Sequence, residues 1–332
     1  MNIKSINSNF SNDKSSVYTS LIDILENSME QSDFKSAEDK SEYINEVKRI
    51  LSNNQVNIML AGATGAGKST TINSLFNMND AKVGYGTDPE TKSIEMYSFN
   101  NLTLWDTPGF GDSPEQDRNT AEMIKELLWR KNDQGLPLID LVLVVVDGSS
   151  RDMMSTFELI SEVIAPNVHY RDSVVVAVNQ TDIAMKGRHW DSVNRKPEPE
   201  LEEFMNEKVV SVKERIFNSC GLDVNVMYYS ATEKYNILKL LCFILDNIPN
   251  EEKIINVTEQ MNRDVEVWKS HDEETISMAQ EILHKVGRVV SGAIAGAKKG
   301  AEIASNIGIP KFVGAVVGGV VGGFASFRLK IT

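Results

Sequence analysis

Apolar residues fall into short continuous runs separated by longer amphipathic stretches. The runs at 56–61, 139–146 and 174–178 are apolar almost throughout, as strands buried on both faces are. The run at 93–99 alternates, with Ile94, Met96, Tyr97 and Phe99 as its apolar positions, and Asn100-Asn101 turns the chain into a returning strand at 102–105. A last strand is predicted at 224–229. Helical spacing marks 69–76, 120–129, a segment carrying Met153, Met154, Phe157, Ile160 and Ile164, then 201–217 and 237–245. Strands alternating with helices predict an α/β domain, a mostly parallel sheet flanked by helices. Any ligand then belongs beyond the carboxyl ends of the strands. Two amphipathic helices precede this unit, at 17–29 (Val17, Leu21, Ile22, Ile24, Leu25) and 37–51 (Tyr43, Ile44, Val47, Ile50, Leu51). Packing on the domain and contact with a partner or second copy both suit them. Gly, Asp, Thr and Pro make 77–92 a loop, and 185–200 is an inserted loop with Trp190, Pro197 and Pro199.

The division that follows is a disordered lead-in at 1–14, N-terminal helices at 15–52, a nucleotide-binding domain at 53–249 and a helical C-terminal region at 250–332.

The strand at 56–61 runs straight into Gly62-Ala63-Thr64-Gly65-Ala66-Gly67-Lys68-Ser69-Thr70, and a helix follows. That strand, loop and helix are the context a P-loop needs. Glycine lets the backbone of Gly62, Thr64, Gly65, Ala66, Gly67 and Thr70 wrap phosphates closely, and the new helix offers its positive end. Lys68 is placed to reach the β- and γ-phosphates and Ser69 to give a hydroxyl to Mg²⁺. The strand at 102–105 ends in Asp106-Thr107-Pro108-Gly109, where a second Mg²⁺ ligand belongs, with Gly109 free to bring its N–H to the γ-phosphate. Between them, the loop at 77–92 holds the position of a first switch. Thr87 and Thr91 compete there as the Mg²⁺-binding threonine; Thr91 is favoured because it directly precedes the next strand.

The strand at 174–178 runs into Asn179-Gln180-Thr181-Asp182, and the last strand ends in Ser230-Ala231. P-loop, Asp-Thr-Pro-Gly and Asn-x-x-Asp, in this order, resemble the translation-factor-related P-loop GTPases, most of all their Era-like and septin-like branch. The resemblance covers residues 53–249. It implies that Asp182 accepts two hydrogen bonds from guanine, which adenine cannot offer. Asn179 then braces the loop, and the backbone at Ser230 and Ala231 touches the guanine oxygen. Gln180 stands where the family has a lysine whose stem covers the base. The Trp190-Asp191…Pro197 stretch is similar to one in uncharacterised bacterial Era-like GTPases. Trp190 itself reads either as a binding handle or as a packed anchor.

The resemblance implies GTP and GDP as ligands with Mg²⁺, and hydrolysis in which Lys68, Thr91 and Gly109 act. Phe110 fills the place where some relatives carry a water-orienting glutamine, and Gly65 the place of a potassium-binding asparagine. Arg118 and Arg151 are candidates for a charge-stabilising finger only by their nearness in sequence. Slow turnover is therefore expected, raised by a partner or by self-association as a homodimer across the nucleotide face.

Composition trims the alternatives. Of 332 residues 41% are hydrophobic and 24% charged, the balance of a globular protein. A formal net charge of −13 disfavours a broad nucleic-acid interface and with it a ribosome- or RNA-associated role. Two cysteines, Cys220 and Cys242, make no disulfide framework, and residues 1–16 lack a signal-type apolar core, so a cytoplasmic location is expected. Toward the C-terminus, Gly292-x-x-x-Gly296-x-x-x-Gly300 and Gly314-x-x-x-Gly318-x-x-x-Gly322 stripe a glycine-rich hairpin at 287–327. Its uncharged arm at 312–327 falls short of the roughly 20 residues of a membrane span. Two readings stay open: a hairpin that associates with membrane and makes this a self-assembling, membrane-acting GTPase, and a soluble helical hairpin packed on the N-terminal helices.

Overall fold

The structure is a computed structural model of the full chain. It describes residues 36–38, 40–41, 45, 55–76, 78, 82–85, 94–99, 101–250, 253–254, 257, 262, 264–268, 272–279, 281–282 and 285. The lead-in at 1–14, the helix at 17–29, ten of the fifteen residues of that at 37–51, both switch threonines and the hairpin at 287–327 lie outside the described residues.

A seven-stranded sheet forms the centre. In chain order its strands are β1 (Val56–Gly62), β2 (Lys82–Tyr85), β3 (Glu95–Phe99), β4 (Leu102–Asp106), β5 (Leu141–Asp147) and β6 (Val174–Asn179). A two-residue ribbon, β7 (Trp190–Asp191) with β8 (Lys196–Pro197), stands apart, and β9 (Asn225–Tyr228) completes the large sheet. The spatial order is β2-β3-β4-β1-β5-β6-β9. From β4 to β9 every pairing is parallel, while β2 and β3 extend one edge antiparallel. The helices that flank the sheet are, among the described residues, α1 (Lys68–Leu75), α2 (Pro114–Trp129), α3 (Met154–Glu158, continued as a π-helical turn Leu159–Ile164), α4 (Pro199–Cys220) and α5 (Ile237–Asp246).

Alternation along the central strands divides the core in two. Val56, Ile58 and Leu60 of β1, with Leu141, Leu143 and Val145 of β5, face α1 and α5. Met59 and Ala61, with Val142, Val144 and Val146, face α2, α3 and α4. Burial on both faces is why these strands are apolar at every position. The α1–α5 side also takes in Ile254, Val257, Val267, Trp268 and Ile282 from the C-terminal region. Among the described residues no helix is long and apolar enough to cross a membrane.

Three local expectations are corrected. The loop at 77–92 contains β2, an edge strand whose Lys82 to Tyr85 pair with Ser98 to Glu95. Helix α2 starts at Pro114, not at Thr120: Ser113 Oγ accepts from Gln116 N at 3.3 Å, and proline occupies the first helical turn. The inserted loop is ordered by β7 and β8 and, ahead of them, by short 3₁₀ turns within Thr181–Gly187 that are broken where Ala184, Met185 and Lys186 leave helical backbone angles.

Candidate nucleotide site

The parallel strands end at Gly62, Asp106, Asp147, Asn179 and Tyr228, so the predicted motifs emerge at one edge of the sheet. Helix α1 begins at Lys68 behind Gly67, which has φ +91° and supplies no side-chain cap. The first-turn N–H groups are thereby uncapped, and such a helix end favours an anion. A Cβ at Gly67 would run into Asn179 Nδ2, so glycine is needed here for both conformation and space. Lys68 is buried, and its Nζ donates to Gly62 O at 3.2 Å and Ala63 O at 3.1 Å. Burial pushes its ammonium below the ordinary lysine range, opposed by the charges of Asp106 and Asp112. Asp112, exposed and not singled out in the sequence, thus acts on the same lysine.

Ser69 Oγ donates to Asp106 Oδ2 at 2.6 Å. The other carboxylate oxygen, Asp106 Oδ1, is buried with no hydrogen-bond partner among the described residues. Burial raises the Asp106 pKa, and the Ser69 hydroxyl and Lys68 charge pull it back. A buried, unsatisfied carboxylate oxygen costs free energy unless something cationic or hydrogen-bonding meets it. A hydroxyl beside a carboxylate is the hard oxygen set that Mg²⁺ takes with one or two protein ligands. The residues present fit that ion.

The Asp-Thr-Pro-Gly turn is fastened to the P-loop. Thr64 N donates to Phe110 O at 3.1 Å, and Phe110 N to Gly62 O at 3.2 Å. A side chain at Gly109 would collide with Thr64. Phe110 is itself buried in the core on the α2–α4 side of the sheet, so the place of a water-orienting residue is spent on packing. Arg118 and Arg151 are exposed.

At the other end, one buried asparagine ties three segments together. Asn179 Nδ2 donates to Ala66 O at 2.9 Å and its Oδ1 accepts from Ala231 N at 3.0 Å. Gly148 N donates to its backbone oxygen at 2.8 Å. Gln180 is left-handed at φ +63° and donates from Nε2 to Gly65 O at 2.7 Å. Asp182 Oδ1 accepts from Ser230 Oγ at 2.6 Å. Thr70 is exposed on α1; its backbone oxygen accepts from Ser74 Oγ, which also reaches Ala231 O at 3.1 Å.

Two contributors were not legible in the sequence. Tyr229 is fully buried, and its hydroxyl lies 2.5 Å from Thr71 Oγ1, which donates to Gly67 O at 2.7 Å. Lys208 of α4 donates to Gly148 O and, at 2.8 Å, to Ser150 O. Both depend on residues far apart in the chain. Trp190 is half-buried and packs against the core, which favours the anchor reading over the handle.

Residues 57–180 match the family model described as 50S ribosome-binding GTPase. GTPase Der of Rickettsia conorii is 26% identical over 187 residues, 55% of this chain and 37% of that protein. Cell division control protein 10 of Saccharomyces cerevisiae is 35% identical over 85 residues, 21% of this chain and 26% of that protein. The chain therefore spans well under half the length of these curated relatives. Among solved structures, a probable GTP-binding protein engB is 21% identical, with 58% of this chain and 98% of that one covered and a TM-score of 0.37. The G domain of the T. maritima FeoB iron transporter is 17% identical, with 58% and 99% covered and a TM-score of 0.35.

Proposed function

We propose, from the premise that residues 57–180 are a P-loop GTPase domain of the 50S ribosome-binding GTPase family, that this protein is a cytoplasmic molecular switch that binds GTP and hydrolyses it slowly. The observation that carries the reading is Asn179. A single buried side chain holds Ala66 of the P-loop and Ala231 of the last loop, with Asp182 three residues on and bonded to Ser230.

In this reading the P-loop amides and the α1 terminus hold the phosphates, and Lys68 turns its charge from the loop carbonyls to the phosphate oxygens. Ser69 and Asp106 would hold Mg²⁺, with Thr91 of the switch as a further ligand. When bound, the ion supplies positive charge against the β- and γ-phosphate oxygens. Gly109 brings its N–H to the γ-phosphate, and Asp182 selects guanine through N1–H and the exocyclic amine. Phe110 can neither orient nor deprotonate water, and this supports slow turnover raised by a partner or by a second copy across the nucleotide face.

Calorimetry with GTP and ATP in Mg²⁺, on wild type and Asp182→Ala, tests the proposal. GTP is expected to bind at least about 100-fold more tightly, and the substitution to remove that preference, because a lost charged hydrogen bond alone costs about 1.5–3 kcal/mol. Equal binding of both nucleotides by wild type sinks the guanine assignment. Phosphate release from the same samples is expected to be slow when dilute and to rise per molecule with protein concentration or an added partner; fast turnover by dilute monomer contradicts the activation scheme.

A further inference from the structure

The base-reading end of the site is made of two loops. The first carries Asp182 and continues through Thr181–Gly187 into the β7–β8 ribbon. The second runs from Ser230 to Tyr235 and is closed on itself, Ser230 N to Tyr235 O and Tyr235 N to Ser230 O, both 3.0 Å. At their near ends the loops meet through Ser230 Oγ and Asp182 Oδ1. They meet again at their far ends: the Trp190 ring stands edge-on to Tyr235, centroids 5.6 Å apart at 86°. Tyr235 in turn stacks on Tyr228 of β9, at 6.4 Å and 25°.

The ribbon is built to hold Trp190 still. Trp190 pairs with Pro197 and Asp191 with Lys196. Glu198 N donates to His189 O at 2.8 Å, and the His189 ring lies 3.2 Å from the Glu198 carboxylate. Asp191 Oδ1 accepts from Val193 N and Asn194 N and closes the turn. His189 and Arg195 sit at φ +61° and +52°, conformations non-glycine residues adopt only when surroundings fix them. An edge-on aromatic pair adds directional attraction beyond its buried area.

We infer that Trp190 is a specificity-positioning residue: through Tyr235 and Ser230 it fixes the separation of the two loops, and so the placing of the Asp182 carboxylate against a guanine edge. This rests on the guanine assignment proposed above. It does not make Trp190 a base-stacking group; the indole acts on the nucleotide through the two loops. Asp182 must satisfy both N1–H and the exocyclic amine, a bidentate contact more sensitive to displacement than a single bond.

Inosine diphosphate keeps N1–H and lacks the amine, so the ratio of GDP to IDP affinity reports the second bond alone. Wild-type protein is expected to favour GDP over IDP by about 10- to 100-fold, the worth of one charged hydrogen bond, and GDP over ADP by more. Trp190→Ala should shrink the GDP/IDP ratio at least about fivefold, with phosphate contacts intact and IDP affinity falling less than GDP affinity. Trp190→Phe, which keeps an aromatic edge, should restore the ratio to within about twofold of wild type. Trp190→Leu keeps apolar bulk without the ring; should the alanine variant fail to fold, it must show the reduced ratio. GDP and IDP weakening together in the alanine or leucine variant would reduce Trp190 to a packing residue and overturn the inference. A wild type with no preference for GDP over ADP would overturn the guanine assignment itself, and the inference with it.

Discussion

Cys242 lies on the buried face of α5, and burial, reinforced by the charge of Asp246, pushes its thiol up to about 12. Cys220, at the end of α4, is half-buried and donates to Ile216 O at 3.3 Å. Thiolate is the reactive form, so a covered thiol with a raised pKa is inert at neutral pH while a partly exposed one is not. At pH 8 the native protein should release one equivalent of thionitrobenzoate from Ellman's reagent, and two in denaturant. Two rapid equivalents from native protein would mean that α5 is not packed as described. That these two cysteines make no disulfide framework needed only their number and spacing, and both are free thiols. Gln180 was harder to read. Its departure from the family lysine was visible, but its amide bond to Gly65 O joins residues 115 positions apart, and no local pattern encodes such a contact. Phe110 was read as a missing water-orienting group; that it is a core residue appeared only with the fold.

Among the elements, α1 links site and scaffold. Its first turn faces the P-loop, and its last turn has no basic residue to meet the open carbonyls. Asn262 takes that role from outside: its Nδ2 donates to Asn73 O and Ser74 O at 3.1 and 3.2 Å, and its backbone N to Leu75 O at 2.9 Å. Helix ends leave such carbonyls unsatisfied unless another group supplies donors. Asn262→Ala should cost about 1–2 kcal/mol in urea unfolding, and an unchanged midpoint would show that water replaces the cap. The long elements were legible because burial on both faces of a strand, or one face of a helix, writes a period into the chain. Strand β2 was not, since a four-residue edge strand containing Gly84 takes its identity from β3 beside it. The start of α2 was legible in principle: Ser113 before Pro114, with Gln116 three positions on, is a helix-start signal that the apolar period alone passes over.

At the scale of the whole molecule, the C-terminal region is a structural partner of the nucleotide domain. Trp268 is fully buried and donates to Asn262 O at 2.7 Å. Lys253 pairs with Asp140 at 2.6 Å, both largely buried, and Lys239 with Glu274 at 2.5 Å. Lys234, inside the Ser230–Tyr235 loop, pairs with Asp264 at 2.5 Å. The region thus grips the far end of α1 and the loop beside Asp182, the two elements on which the proposed site depends. A ligand that binds the closed site stabilises whatever must stay ordered for it to close, and the coupling runs equally in both directions. GDP with Mg²⁺ is therefore expected to slow amide exchange at 265–268 and 272–279 as well as in the P-loop, by about 5- to 150-fold for a coupling of 1–3 kcal/mol. Asn262→Ala, which removes the side-chain bonds to α1 and keeps the backbone bond to Leu75 O and the Lys234–Asp264 pair, should leave protection in the P-loop and reduce, without abolishing, the gain at 265–268. If GDP protects the P-loop of the wild type and leaves 265–268 unchanged, the C-terminal region is a passive cover, and nucleotide state cannot reach the glycine-rich sequence beyond it through these contacts.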